Sequence, residues 1–232
     1  MKEAWNKGLS KMNNASVKKI SETMRLRKLD NFKKWRDAMK KEGKIKSSYP
    51  ALKRSKELAE LIGVILGDGH ICKFARTESL RIVGNANNKG FSERYARIIE
   101  IVFNKKPHVA KRKNSNAMNI TLYEKHISER LNLPTGSREH VDFPIPEWIT
   151  LRKSYVKAYL RGLYEAEGSY SVHEATYTHK FIFTNTNKSL LDNVFNSVCS
   201  LGFHPHRSKN QIQVSRKEEV QKLKNLLEFR RY

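Results

Sequence analysis

Two acidic residues stand out by position. Asp68 and Glu167 lie 99 residues apart, each closes an apolar run, and each precedes a glycine, Gly69 or Gly168. Ala59, Gly63 and Gly67 recur every four residues before Asp68, and Ala158, Gly162 and Ala166 do so before Glu167. Residues four apart share a helix face, so each run predicts a helix with a small-residue seam that a second backbone can approach. The other positions (Leu58, Leu61, Ile62, Val64 and Ile65; Val156, Tyr159, Leu160, Leu163 and Tyr164) are apolar nearly all round, the pattern of a buried helix. Packed together, the two helices would bring both acids to one point at their C-terminal ends. Carboxylates there meet the negative end of the helix dipole and the unpaired carbonyls of the last turn. They also repel, so one must take up a proton. A divalent cation relieves both problems. Asp68 and Glu167, with the carbonyls of Gly67 and Ala166, make a hard-oxygen set that suits Mg²⁺. One helix–acid–glycine–strand unit would be ordinary packing and capping; two copies at a fixed offset are what single out these acids.

The elements around the acids also repeat. After the first apolar helix come short alternating stretches at 70–76 and 80–84, an amphipathic helix at about 92–103, strands at 109–113 and 118–122, and a helix from Glu124 to about Leu131. The second copy reads as a helix at 155–166, strands at 169–175 and 179–184, a helix at 190–201, strands at about 204–208 and 211–215, and a helix from Lys217. Asn85 matches Asn185, and Asn88-Lys89 matches Asn187-Lys188, at offsets of 100 and 99. The prediction is an α+β fold of two pseudosymmetric αββαββα halves, about 55–133 and 151–232, joined by a proline-bearing connector at 134–150.

Residues 1–54 read as a separate basic, partly helical arm. Residues 1–57 hold 18 Lys+Arg against 6 Asp+Glu, a net +12 of the chain's +23. Ser16 is placed to cap a helix running to about Lys41, with Val17, Ile20, Met24, Phe32, Trp35 and Met39 at helical spacing. Gly43 ends it, and Ser47-Ser48-Tyr49-Pro50 reads as linker. An excess of positive charge this large calls for a polyanion, and nucleic acid is the obvious one. No apolar run approaches the ~20 residues of a membrane span, so no membrane partner is expected. Two cysteines, Cys72 and Cys199, exclude a disulfide framework and leave a reducing compartment as the default. The His204-Pro205-His206 run lacks a second ligand pair for zinc.

Leu61-Ile-Gly-Val-Ile-Leu-Gly-Asp-Gly69 and Leu160-Arg-Gly-Leu-Tyr-Glu-Ala-Glu-Gly168 resemble the two nine-residue motifs of the LAGLIDADG homing endonucleases, in the single-chain, two-motif form, over about residues 55–232. The resemblance implies a saddle of two antiparallel sheets over double-stranded DNA. It implies Asp68 and Glu167 as the essential ligands of two or more divalent ions and a double-strand break leaving short 3′ overhangs. Around such a centre relatives place polar and basic groups. Asn85, Asn185, Lys89 and Lys188 are the candidates for positioning water or contacting phosphate, although both asparagines are equally placed to cap turns. Some relatives carry a lysine shortly after the second motif; Ser169-Tyr170-Ser171 stands there instead. The arm's Trp5-Asn6-Lys7-Gly8-Leu9 and Val17-Lys18-Lys19-Ile20-Ser21-Glu22 resemble nuclease-associated modular DNA-binding repeats.

Met118, Ile120, Leu122, Ile212 and Val214 are expected to face the helices, turning Asn119, Thr121, Gln211, Gln213 and Ser215 outward. Lys111 and Lys113 share one face, as do Ser169, Ser171 and His173. Such residues bond base edges in the major groove, and a solvated sheet face has the same texture. The expectation is a monomeric, Mg²⁺-dependent, site-specific DNA endonuclease. It would act in a prokaryotic or phage-infected cytoplasm, with an organelle as the alternative. Met1 and Tyr232 show no intein-splicing chemistry, which reads as a free-standing or intron-encoded enzyme. Two other classes fit the same scaffold: a maturase binding its intron RNA, and a non-cleaving, sequence-specific DNA-binding regulator.

Overall fold

The computed structural model describes residues 4–30, 32–137 and 141–232. The chain divides into two units, 1–49 and 50–232, so the boundary falls at the Ser47–Pro50 linker rather than at 54/55.

The first unit holds two helices where one was expected, α1 (Ala15–Leu26) and α2 (Lys33–Lys41). The cap of α1 is Asn14, whose side chain accepts the Val17 N–H at 3.1 Å; Ser16 already lies inside the helix. The helix stops because Lys28 is left-handed and Asp30 takes the Phe32 N–H at 3.2 Å, a local bond that competes with helix continuation. Neither helix buries a residue.

The second unit runs α3 (Lys56–Asp68), β1 (Gly69–Lys73), β2 (Glu78–Asn85), α4 (Lys89–Phe103), β3 (His108–Lys111), β4 (Ala117–Glu124) and α5 (Ile127–Leu131). A short α6 (Glu147–Thr150) lies in the connector. The second half is α7 (Lys153–Glu167), β5 (Gly168–His173), β6 (Thr178–Thr184), α8 (Lys188–Ser200), β7 (His206–Arg207), β8 (Gln211–Val214) and α9 (Lys217–Leu226). This is αββαββα twice. Glu124, expected to open a helix, ends β4 instead; α5 begins at Ile127.

Each half folds its strands into an antiparallel sheet of the same order, β1-β2-β4-β3 and β5-β6-β8-β7. Strand alternation fixes the two faces. Leu80 opposes Leu122 and Ile82 opposes Ile120 in the first sheet; Phe181 opposes Val214 and Phe183 opposes Ile212 in the second. All eight are buried under the helices, with Tyr164 of α7 stacked on Phe181 at 4.4 Å.

The motif helices are less purely apolar than their sequences imply. Glu60, Arg161 and Glu165 are buried. Glu60 takes a two-pronged bond from Arg94 at 2.6 and 2.7 Å, and Arg161 pairs with Glu228. Glu165 accepts from the Arg230 N–H at 2.7 Å and from the Tyr232 hydroxyl. Each buried charge has a partner, which is what makes its burial tolerable.

Candidate functional site

The site is built by the seam between α3 and α7. A Cβ on Gly63 would sit 2.2 Å from Tyr159 O, and one on Gly162 would sit 2.1 Å from Glu60 O. Further along, a Cβ on Gly67 would meet Ala166 Cβ at 2.4 Å and Glu167 Cγ at 3.1 Å. Position numbers rise together along both helices, so the helices run parallel and their C-terminal ends converge. Asp68 and Glu167 are the last residues of the two helices.

Gly69 and Gly168 follow the acids, and neither needs a conformation that only glycine can adopt. Both have extended backbone, with φ of −91° and −87°. What excludes a side chain is the preceding helix turn: a Cβ would fall 2.5 Å from Ile65 Cα at one and 2.3 Å from Tyr164 O at the other. The glycines let a strand start directly from the helix end, with the acid held at the junction.

Both acids are shifted by where they sit. Burial at the helix ends, then the charge of Glu167, pushes the Asp68 carboxyl up to about 7. Burial likewise raises Glu167, which is half-buried. Asp68 nevertheless keeps an open side to solvent. Among the described residues neither acid forms an ion pair with Lys, Arg or His. Two converging, uncompensated carboxylates with helix-end carbonyls beside them form a donor set of the kind a hard divalent cation prefers. Among the described residues no group of three or more His, Cys, Asp or Glu is placed to hold a metal ion, so the remaining oxygens would come from backbone, water or phosphate. A cleft of about 270 Å³ opens beside Glu167, lined among others by Gly67, His70, Phe143, Asn185 and Asn187.

Asn85 and Asn185 occupy matching places at the ends of β2 and just past β6, and both cap turns: their Oδ1 atoms accept the N–H groups of Asn87 and Asn187 at 2.9 and 2.8 Å. Asn185 does more, since its Nδ2 donates to Glu167 Oε1 at 3.5 Å. Asn85 instead accepts from Asn116 at 3.1 Å. Lys89 and Lys188 are the exposed first residues of α4 and α8, whose caps are Asn88 and Asn187.

The strand register sorts the remaining candidates. Ser169, Ser171, His173, Gln211 and Gln213 share the face turned away from the core, and Ser215 follows on that side just past β8. Asn119 and Thr121 hold the same face of the first sheet, but Thr121 lies between Arg81 and His108 and is 8% exposed, so it is covered rather than presented. Lys111 is a correction. It pairs with Met118 and therefore points to the helix side, while Lys113 lies in the β3–β4 turn. Counting alternation from Val109, which pairs with Ile120, would have shown this. His70, Arg81, His108, Lys180 and His206 lie on the outward faces and were missed. His70 was legible as the first residue past Gly69, at the place Ser169 holds in the other half.

Residues 154–232 match the family described as the LAGLIDADG-like domain. Over those residues, about a third of its length, the chain is similar to that domain. Both sheets and both motif helices together give the two-motif LAGLIDADG fold. Mesophilic variants of the homing endonuclease I-DmoI superpose with a TM-score of 0.51 at 19% identity, over 74% of this chain and 94% of theirs. I-DmoI in complex with DNA and Mn gives 0.50 at 19%, over 74% and 96%. The N-terminal LAGLIDADG domain of DUF199/WhiA gives 0.51 at 14%, over 78% and 86%. These likenesses concern the fold. Among curated proteins, the glutamine–fructose-6-phosphate aminotransferase of Methanocaldococcus jannaschii is 30% identical over 115 residues, 48% of this chain. The chain spans about a tenth of that protein's length, 10%.

Proposed function

We propose that this LAGLIDADG protein is a site-specific endonuclease that makes a double-strand break in DNA by Mg²⁺-dependent phosphodiester hydrolysis. One observation carries the reading: Asp68 and Glu167 end two parallel helices held at backbone contact, and no cation among the described residues pairs with them. The side chains of Asp68 and Glu167, with the Gly67 and Ala166 carbonyls, would hold the metal. Bound there, Mg²⁺ supplies charge neutralisation at the scissile phosphate and lowers the pKa of a water. The residues do the rest. The seam fixes the two carboxylates relative to each other, Asn185 orients Glu167, and the polar sheet faces hold the duplex. I-DmoI, which shares the fold, has been solved with DNA and Mn, and a single-substitution variant of it with its target DNA in the presence of Mg.

The protein acts as a monomer in this reading, because both motif helices already lie on one polypeptide. No helix among the described residues is long and apolar enough to cross a membrane. Both cysteines are free, which suits a reducing compartment; we assign the protein to the cytoplasm of a prokaryotic or phage-infected cell, with an organelle as the alternative.

The test pairs Asp68→Asn and Glu167→Gln in plasmid cleavage with Mg²⁺, beside a gel shift in Ca²⁺, on a site selected from a randomised duplex library. Each variant should lose nearly all double-strand cleavage and keep its binding, since an amide retains the shape without the charge. Near-wild-type cutting by either variant would remove the metal-ligand assignment. A wild type that binds DNA without cutting would favour the regulator, and one that binds its intron RNA the maturase.

A further inference from the structure

At the end of the first sheet away from Asp68, two aromatic rings lie together on the outward face. Phe74 opens the β1–β2 turn, where its N–H donates to Thr77 O at 2.8 Å. Tyr123 stands near the end of β4. Their ring centroids are 6.4 Å apart, and the residues are 48% and 49% exposed. Cross-strand pairing places Ser79 between β1 and Tyr123, and Ser79 is only 2% exposed. Here the sheet presents apolar ring faces to the outside instead of polar groups. Cations surround them. Arg76 lies in the same turn, Lys125 follows one residue beyond the strand, and Lys105 Nζ donates to Tyr123 O at 2.5 Å.

The fold itself does not require these rings. Superposing the two ladders on Gly69 and Gly168 makes Leu122 equivalent to Val214, so Tyr123 corresponds to Ser215 and Phe74 to His173. The second half builds the same sheet with polar residues at both places. An exposed apolar pair that the twin half does without calls for a partner. The only apolar feature that duplex DNA offers in its major groove is the thymine 5-methyl group.

We propose that Phe74 and Tyr123 read thymine 5-methyl groups at the outer end of the DNA half-site bound by the first sheet. This rests on the reading that the outward sheet faces bind duplex DNA. The surrounding cations suit the phosphates on either side of such a base. Residues 68 to 74 span roughly 20 Å of extended chain, which corresponds to about six base-pair steps from the cleavage centre. The second half, with His173 and Ser215, lacks the methyl preference.

The experiment uses the full chain and its selected target duplex, with each thymine replaced singly by deoxyuridine, and affinity measured in Ca²⁺. Wild type should lose roughly 3- to 5-fold at one or two thymines about six base pairs from the centre on the first-half side, the effect of burying one methyl group. The Phe74→His, Tyr123→Ser variant carries the residues the second half already tolerates. It should show no difference between thymine and deoxyuridine there while keeping its preferences elsewhere. Circular dichroism of that variant checks that the sheet is intact. Deoxyuridine without effect at every such thymine, or a methyl effect that survives in the variant, overturns the assignment. If the wild type selects no duplex at all, the DNA-binding reading itself falls, and the inference falls with it.

Discussion

Gly63 and Gly162 face each other where α3 and α7 cross, and neither has room for a methyl group. The obstruction at each is backbone of the other helix, 2.2 Å from Tyr159 O at one and 2.1 Å from Glu60 O at the other. Backbone at a helix crossing cannot swing aside as a side chain can, so relief requires the helices to separate. Gly63→Ala and Gly162→Ala should each cost about 2–3 kcal/mol or more, a fall of roughly 4–12 °C in Tm for a domain of this size. Gly67→Ala is the informative contrast. Its methyl group would meet the Ala166 side chain and Glu167 Cγ, so it should lower cleavage more than thermal stability. Calorimetry beside a plasmid assay separates the two effects.

The raised Asp68 carboxyl makes stability and cleavage respond to pH in opposite directions. Its ordinary value is 3.8, and in the folded protein it is pushed to about 7 by burial and by Glu167. Between those values the folded state holds a proton that the unfolded chain has released. Without metal, this proton makes stability fall as pH rises from about 4 to about 7. Solvent screens the effect, because Asp68 keeps an open side. Denaturant midpoints at the two ends of that window should show the decline in wild type and a smaller one in Asp68→Asn, where the raised Glu167 carboxyl remains. In the proposed reaction cleavage needs the ionised pair, so its rate in Mg²⁺ should climb across the same window. Raising Mg²⁺ should move the midpoint lower, because metal and proton compete for the same oxygens.

The repeat, the two motif helices and the polar sheet faces are legible in the sequence because each is a local pattern: a four-residue seam, an acid before glycine, strict alternation. Thr121 escapes such a pattern because alternation gives a side chain's direction and says nothing of what covers it; Arg81 and His108 are brought beside it by pairing with other strands. The arm's break between α1 and α2 turns on Lys28 adopting positive φ, a conformation that a lysine does not announce. The Glu60–Arg94 and Glu165–Tyr232 contacts join residues far apart in the chain, and no spacing rule connects them. Asn185 reads equally as a cap and as a site residue because its one side chain does both, through different atoms.

That dual use makes Asn185 and Asn85 separable by mutation. Ala at either position removes a turn-capping acceptor, but only Asn185→Ala also removes the bond to Glu167. Asn185→Ala should lower cleavage by roughly 10- to 100-fold, the usual effect of losing a group that orients a ligand. Asn85→Ala should stay within a few-fold. Both should lose similar thermal stability, about 1 kcal/mol. Equal cleavage losses in the two variants would mean that capping, and not the Glu167 bond, is what Asn185 contributes.

Residues 1–49 hold a net charge of +10 and two helices with no buried residue. Such a segment gains little from burying its own surface, so its contribution lies in charge. Lys and Arg bonds to phosphate add affinity and fix position without reading bases. Removing residues 1–49 should leave the thermal midpoint of the remaining domain nearly unchanged, since the hydrophobic core lies wholly in residues 50–232. Binding should weaken most at low salt, and the slope of log K against log salt should flatten by about 0.9 for each phosphate that the shortened chain leaves unneutralised. The cleaved sequence should stay the same, because the residues proposed to read it sit on the sheets. Exposed aromatic residues in the arm, Trp5, Phe32 and Trp35, are the features that oppose this expectation. Selecting targets from one randomised library with the full and shortened chains decides the matter. Identical core sites with weaker binding identify the arm as an electrostatic anchor, and a site that loses specified base pairs at one end identifies it as a reader.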